Sequence, residues 1–151
     1  MATACSSDAE SDIAADIAGE FVVAQVETLN FESTGTPMAV TAGLIESTFQ
    51  TTYLLQGTDI NGNAIVLFIN AYDGVGTYDL SFSDQSNGTS GQFSDQNTAW
   101  STQNEGGMGT ITVETDEIDA TSGRFEFVGV AEDGSTRSVT NGRYRAIYQA
   151  Q

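Results

Sequence analysis

Residues 109–146 read GTITVETDEIDATSGRFEFVGVAEDGSTRSVTNGRYRA, and this stretch decides the fold. A strand with one buried face needs apolar side chains at every second position. Ile111 and Val113 meet that rule, with Thr110, Thr112 and Glu114 on the opposite face. After the acidic turn at 116–119, residues 123–130 put Phe125 and Phe127 on one side and Arg124 and Glu126 on the other. Glu132-Asp133-Gly134-Ser135 reads as a hairpin connection, because Asp-Gly supplies the positive φ such turns require. In the last run the parity changes: Val139 is odd-numbered, whereas Tyr144, Ala146 and Tyr148 are even. One extra residue must enter the ladder there. Asn141-Gly142 sits at the switch and predicts a bulge with glycine in the left-handed region. The rival, a true turn at Asn141-Gly142, leaves strands too short to bury much.

Upstream, the chain also reads almost entirely as strand. Residues 20–28 form a first strand, and residues 38–50, preceded by Pro37, a second that is interrupted near Gly43. Residues 51–56 and 63–70 flank a hairpin loop at 57–62. Residues 64–69 (AIVLFI) are apolar at every position, which predicts a central strand covered on both faces. Asp73-Gly74 turns the chain into residues 77–82, where Tyr78, Leu80 and Phe82 alternate with Thr77, Asp79 and Ser81. Trp100 anchors a strand within the Ser-, Asn- and Gln-rich stretch 83–107, and its indole N–H needs a partner if buried. Short strands at this spacing predict an all-β fold. The expected form is an antiparallel β-sandwich or flattened barrel of about eight or nine strands, meander-like with C-terminal hairpins. The expected organisation is an acidic N-terminal tether over residues 1–19 and a single β-sandwich domain over 20–151.

The positions Gly109, Ile111, Val113, Asp116, Ser122, Gly123, Phe125, Phe127, Gly134, Val139, Thr140, Asn141, Gly142 and Tyr144 form the pattern G-x-I-x-V, D, S-G-x-F-x-F, G, V-T-N-G-x-Y. That pattern resembles the C-terminal half of a family of small secreted β-sandwich lipoproteins of unknown function from Bacteroidota and related bacteria. Residues 57–67 and 76–80 are similar to the family's middle strands and residues 21–26 to its first, so the likeness spans roughly residues 20–148. It consists of turn and core residues, implies the fold, and carries over no catalytic residue. Ala2-Thr3-Ala4-Cys5 resembles the end of a lipoprotein signal peptide, where small residues precede the cysteine that receives the lipid. Met1 then stands where a leader has been removed, and the acidic residues 6–12 resemble the tether that directs such lipoproteins to the outer face of the outer membrane. A free thiol on an N-terminal tail is the plainer alternative for Cys5.

Charge excludes more than motifs do. Against 21 Asp and Glu stand 4 Arg, with no Lys and no His, for a net charge of −17. Residues 1–123 hold 18 acids and no base. Such a surface repels phosphate backbones, so no nucleic-acid partner is expected. It also matches the composition of halophile or marine proteins, with an ordinary acidic exported protein as the alternative. The longest apolar run, residues 64–69, is far short of the ~20 residues of a spanning helix, so contact with a membrane is expected only through the lipid anchor.

Without His there is no imidazole base or His metal ligand, and without Lys neither a Schiff base nor a phosphate-loop lysine. No catalytic residue, metal or cofactor is therefore assigned. Asp59-Ile60-Asn61-Gly62-Asn63 has the alternating oxygens of a calcium loop's start, but its twelfth position is Asn70 rather than Glu, so a hairpin turn is favoured. Asp116, Glu117 and Asp119 could gather a hard cation but read first as a solvated turn. The suggestive constellation is cationic: Arg143 and Arg145 share a sheet face, and Arg124 lies on the adjoining strand. Together they form either a fork for an anionic sugar or a partner's carboxylates, or a counterion stripe against Glu114 and Glu126, the latter favoured. The expected function is a surface-exposed, lipid-anchored, non-catalytic module that binds an unknown glycan or protein, on the extracellular face of the outer membrane or secreted. The alternative is a structural subunit of an extracellular polymer that uses its N-terminal arm in donor-strand fashion. Homo-oligomerisation stays open.

Overall fold

The computed structural model describes residues 19–34, 40–83 and 88–148. Among the described residues there are eleven strands and no α-helix: β1 (Phe21–Val26), β2 (Leu29–Ser33), β3 (Val40–Glu46), β4 (Thr51–Thr58), β5 (Ala64–Ile69), β6 (Gly76–Asp79), β7 (Ser90–Ser94), β8 (Ala99–Ser101), β9 (Met108–Asp116), β10 (Ala120–Val130) and β11 (Thr136–Ile147). They form one antiparallel sheet in the order β2-β1-β11-β10-β8-β7-β5-β4-β3, with β9 and β6 branching from β10. The branch arises because β10 pairs with β9 from Thr121 to Val128 and then, at Val130, with Ser101 of β8. At the opposite margin a bridge between Ala42 and Tyr148 brings β3 against the end of β11. The sheet is thus nearly closed into a flattened barrel, as the alternation predicts. Eleven short strands take the place of eight or nine.

The predicted faces of the C-terminal strands hold. Ile111, Val113, Phe125 and Phe127 all point into the core, with the two phenylalanine rings 6.4 Å apart. The bulge is present as well: Phe125 pairs with Gly142 and Phe127 with Val139, so one extra residue of β11 is absorbed between them. Its detail differs from the expectation. Asn141 takes the left-handed conformation (φ 54°), a role its short polar side chain tolerates. Gly142 is required for another reason, since a Cβ there would lie 2.5 Å from the Phe125 ring. The Asp133-Gly134 hairpin turn is as expected, with Gly134 at φ 85°.

Three upstream expectations are corrected. Residues 64–69 are central, between β4 and β7, but buried on one face only: Ile65, Leu67 and Ile69 are in the core, while Val66 and Phe68 are half-exposed. An apolar outer face over which none of the described strands stacks accounts for the difference. Residues 40–46 run through Gly43 without a break, because Gly43 pairs in register with Leu54. The first strand is followed directly by a second, β2, through the two-residue turn Glu27-Thr28. That turn has no Asn-Gly or Asp-Gly signal, and Glu27 itself adopts φ 53°. Trp100 is buried as expected, and its indole N–H donates to Ser135 Oγ at 3.0 Å. The N-terminal tether and Cys5 lie outside the described residues.

Candidate functional site

Alternation that sends Val22, Ala24, Ile111, Val113, Phe125 and Phe127 inward sends their neighbours to the outer face of β6, β9, β10, β11, β1 and β2. Cross-strand register lines these up in rows. One row runs Thr77, Thr112, Arg124, Arg143, Val23, Glu32. The next runs Asp79, Thr110, Glu126, then across the bulge to Thr140, Gln25 and Asn30. Apart from Val23, these two rows are polar and hydrogen-bonding, and the bulge at Asn141 interrupts them.

Two shallow open depressions flank that interruption. One, about 280 Å³, lies over Thr110, Thr112, Arg124, Glu126, Asn141 and Arg143. The other, about 210 Å³, is more apolar and lies over Val23, Ala24 and Phe31 as well as Gln25, Asn30, Glu32, Asn141 and Arg143. Asn141 and Arg143 belong to both, so the half-buried Arg143 forms the ridge between them.

The four arginines divide cleanly. Arg124 Nε is 3.2 Å from Glu114 Oε2, an ion pair with both side chains largely in solvent. Arg137 lies over the Trp100 ring at 4.4 Å. The side chains of Arg143 and Arg145 form no ion pair or hydrogen bond among the described residues. The counterion reading thus describes Arg124 and Glu114 but leaves Arg143 and Arg145 uncommitted. Arg145, exposed, is paired in register with Ser122 and Phe21 and lies along β11 from Arg143.

Of the acidic candidates, Asp59 is engaged by its own loop and Asp116 by the end of β11. Asp59 is buried, its Oδ1 accepting the backbone N–H groups of Asn61 and Asn63 at 2.9 Å each and its Oδ2 the Asn63 amide at 2.8 Å. Asp116 accepts the Tyr148 hydroxyl at 2.5 Å. Among the described residues no group of three or more potential metal ligands comes together.

Sequence reasoning missed a second feature. All five tyrosines gather at the end of the barrel formed by the β3–β4, β5–β6 and β9–β10 turns and the end of β11. Tyr53 stacks on Tyr72 at 5.0 Å, Tyr72 on Tyr78 at 5.8 Å, and Tyr148 meets Tyr53 edge-on. Tyr53 is hydrogen-bonded to Thr121 Oγ1 at 2.6 Å, whereas the Tyr144 hydroxyl is buried without a bond to any described residue. Burial, first of all, raises the Tyr53, Tyr72, Tyr144 and Tyr148 phenols well above the ordinary tyrosine range, and the Asp116 charge pushes them the same way. The strand parity of Tyr144 and Tyr148 was visible in sequence, but their convergence with Tyr53 and Tyr72 depends on the closure between β3 and β11.

An all-β barrel with a polar outer face defines a class of domain without defining a reaction. The chain belongs to the DUF6252 family, a domain of unknown function, whose model matches residues 38–147. No curated protein and no solved structure matches it. The match begins after β2, so Val23, Gln25, Asn30 and Glu32 lie outside it, although β1 pairs with β11 through five residue pairs.

Proposed function

We propose that this protein is a surface-exposed, non-catalytic binding module, attached through a lipid at Cys5, whose ligand-contacting face is centred on Arg143. The observation that carries this reading is Arg143 itself: in a protein of net charge −17 it lacks a carboxylate partner among the described residues, and it separates two depressions, one lined mainly by hydrogen-bonding side chains and the other by Gln25, Asn30 and Glu32 together with the apolar Val23, Ala24 and Phe31. A guanidinium with free donors beside Asn, Gln and Thr suits a carboxylate-bearing ligand, because a bidentate pair adds direction as well as charge. The surrounding acids favour a short or sparsely charged ligand over a polyanion, which the whole surface repels. An acidic glycan of the uronate kind fits best. The lipoprotein part is supported by Ala2-Thr3-Ala4-Cys5 and the acidic stretch after it, and it places the module at the extracellular face of a bacterial outer membrane. The donor-strand alternative is less favoured, because the described strands fill their own core from Val22 to Ala146.

The test is a titration of the full chain with digalacturonate, a short uronate rather than a polyanion, followed by amide chemical shifts. Perturbations confined to the neighbourhood of Gln25, Asn30, Arg124, Glu126, Asn141 and Arg143, and abolished by Arg143→Ala, are expected. Shifts centred elsewhere, or unchanged binding by Arg143→Ala, overturn the assignment.

A further inference from the structure

Among the described residues, five of the eight exposed large apolar side chains lie at the tyrosine end: Ile45, Phe49, Val75, Ile118 and Ile147. Their convergence follows from the connections. The β3–β4 tip carrying Phe49 is tied to the β5–β6 loop by Gln50 Nε2 donating to Asn70 Oδ1 at 2.6 Å and by Tyr72 N–H donating to the Thr51 carbonyl. The β5–β6 loop carrying Val75 leads into β6, which pairs with β9 at Gly76 and Val113. Ile118 sits in the β9–β10 turn, and Tyr148 N–H donates to the Asp119 carbonyl of that turn, which holds the end of β11 beside it. The other three occupy separate positions away from this end, Leu29 and Met108 at the first residues of β2 and β9 and Ile60 in the β4–β5 loop.

The tips are of an unusual kind. Phe49 is 94 % exposed and Ile118 99 %, each a single apolar side chain standing out from an otherwise polar turn. A rigid protein partner is matched by a contiguous patch, whereas isolated apolar points on separate loops suit a medium that flows around them. Beneath the tips sit the half-buried Tyr72, Tyr78 and Tyr148, amphipathic rings of the type that favours the boundary between headgroups and water. The chain also enters the domain at this end: Glu20 Oε1 accepts the Ile147 N–H at 2.9 Å, and Phe21 pairs with Arg145. The 18 residues that precede Gly19, Cys5 among them, therefore join the domain on the tyrosine side.

We infer that this end is a lipid-contacting surface, in which Phe49 and Ile118, with Val75 beside them, enter a bilayer composed of zwitterionic lipid. Charge selects the lipid. Glu46, Asp73, Asp116, Glu117 and Asp119 surround the tips, and an anionic surface repels them over about a Debye length. A few apolar tips give only weak, reversible partitioning, as a single short acyl chain does, so two signals together are needed for persistent attachment. The contact would fix the orientation of the barrel and leave the Arg143 face on its flank. It does not depend on the proposed ligand.

The test uses the unlipidated full chain and vesicles of phosphatidylcholine, with partitioning measured by co-flotation. Measurable binding at millimolar lipid is expected. Phe49→Ser and Ile118→Ser should each weaken it by about tenfold. Leu29→Ser with Ile60→Ser, at the far positions, should leave it unchanged, as should Arg143→Ala, and melting curves establish that each variant folds. Phosphatidylglycerol vesicles should bind less well at low salt. Equal binding by tip and far-end variants, or no binding to phosphatidylcholine, overturns the inference. So does a homo-oligomer that Phe49→Ser dissociates in the absence of lipid, since it would mark the tips as a protein interface.

Discussion

Arg124 and Arg143 stand directly opposite each other on β10 and β11. Like charges in that position destabilise a sheet, here offset on one side by the Arg124–Glu114 pair and on the other by nothing among the described residues. Removing Arg143 should therefore leave stability unchanged or slightly raised, within about 0.5 kcal/mol, as for a surface residue without structural duty. Thermal melts of Arg143→Ala check this. A fall of many degrees would show that the side chain holds the barrel together.

The bulge makes a paired prediction. Gly142→Ala forces a Cβ against the Phe125 ring and carbonyl and should cost about 1–3 kcal/mol or more. Asn141→Gly, at φ 54°, should be tolerated within about 1 kcal/mol. Denaturant unfolding would separate the two, and equal losses would contradict the division of roles between them.

Phe125→Ala, by contrast, empties a core position and should cost about 3–5 kcal/mol. A near-neutral result by denaturant unfolding would mean that the inward face of β10 has been misplaced.

What could be read in the sequence was what period and turn chemistry encode locally. Ile111, Val113, Phe125 and Phe127 show their face by parity alone, and the change of parity between Val139 and Tyr144 shows the bulge. β2 was missed because Glu27-Thr28 is a turn without turn residues, its geometry imposed by the pairing of Val26 with Leu29. Half-exposure of Val66 and Phe68 depends on what covers the sheet, which no local pattern records. At the candidate site, parity placed Arg124, Arg143 and Arg145 on one face. Which of them finds a carboxylate, and that Asn30 and Glu32 join Arg143, follow from β1 inserting beside β11. That is a contact between chain ends more than a hundred residues apart.

Charge predicts a salt response. With a net charge of −17, self-repulsion works against the compact state and is screened over about 8 Å at physiological ionic strength. Melting temperature should rise between low and moderate NaCl. Added calcium at constant ionic strength should do little more, because Asp59 is saturated by its own loop. A flat or falling salt curve would contradict the charge argument, and a large calcium effect would reopen the acidic turns as metal sites.

The tyrosine end predicts the opposite limit of stability. Burial raises the Tyr53 and Tyr144 phenols far above the value of about 10 that an unfolded chain shows. Above pH 10 the unfolded state therefore releases protons that the folded state retains, so the folded state loses ground as pH rises. The stability these groups protect is fully present below pH 10. Between pH 10 and the raised folded values it falls by about 1.4 kcal/mol per pH unit for each such tyrosine. Two of them acting to pH 12 remove about 5–6 kcal/mol, comparable to the whole stability of many small domains. Tyr72 and Tyr148, more accessible, add less. The expected result is a cooperative loss of structure near pH 11–12 by circular dichroism. Phenolate absorbance should rise in the same step rather than before it. Tyr144→Phe removes the buried hydroxyl that lacks a hydrogen-bond partner among the described residues and should move the midpoint to higher pH. Phenolate absorbance that rises fully near pH 10 while the barrel stays folded would mean that these rings are open to water.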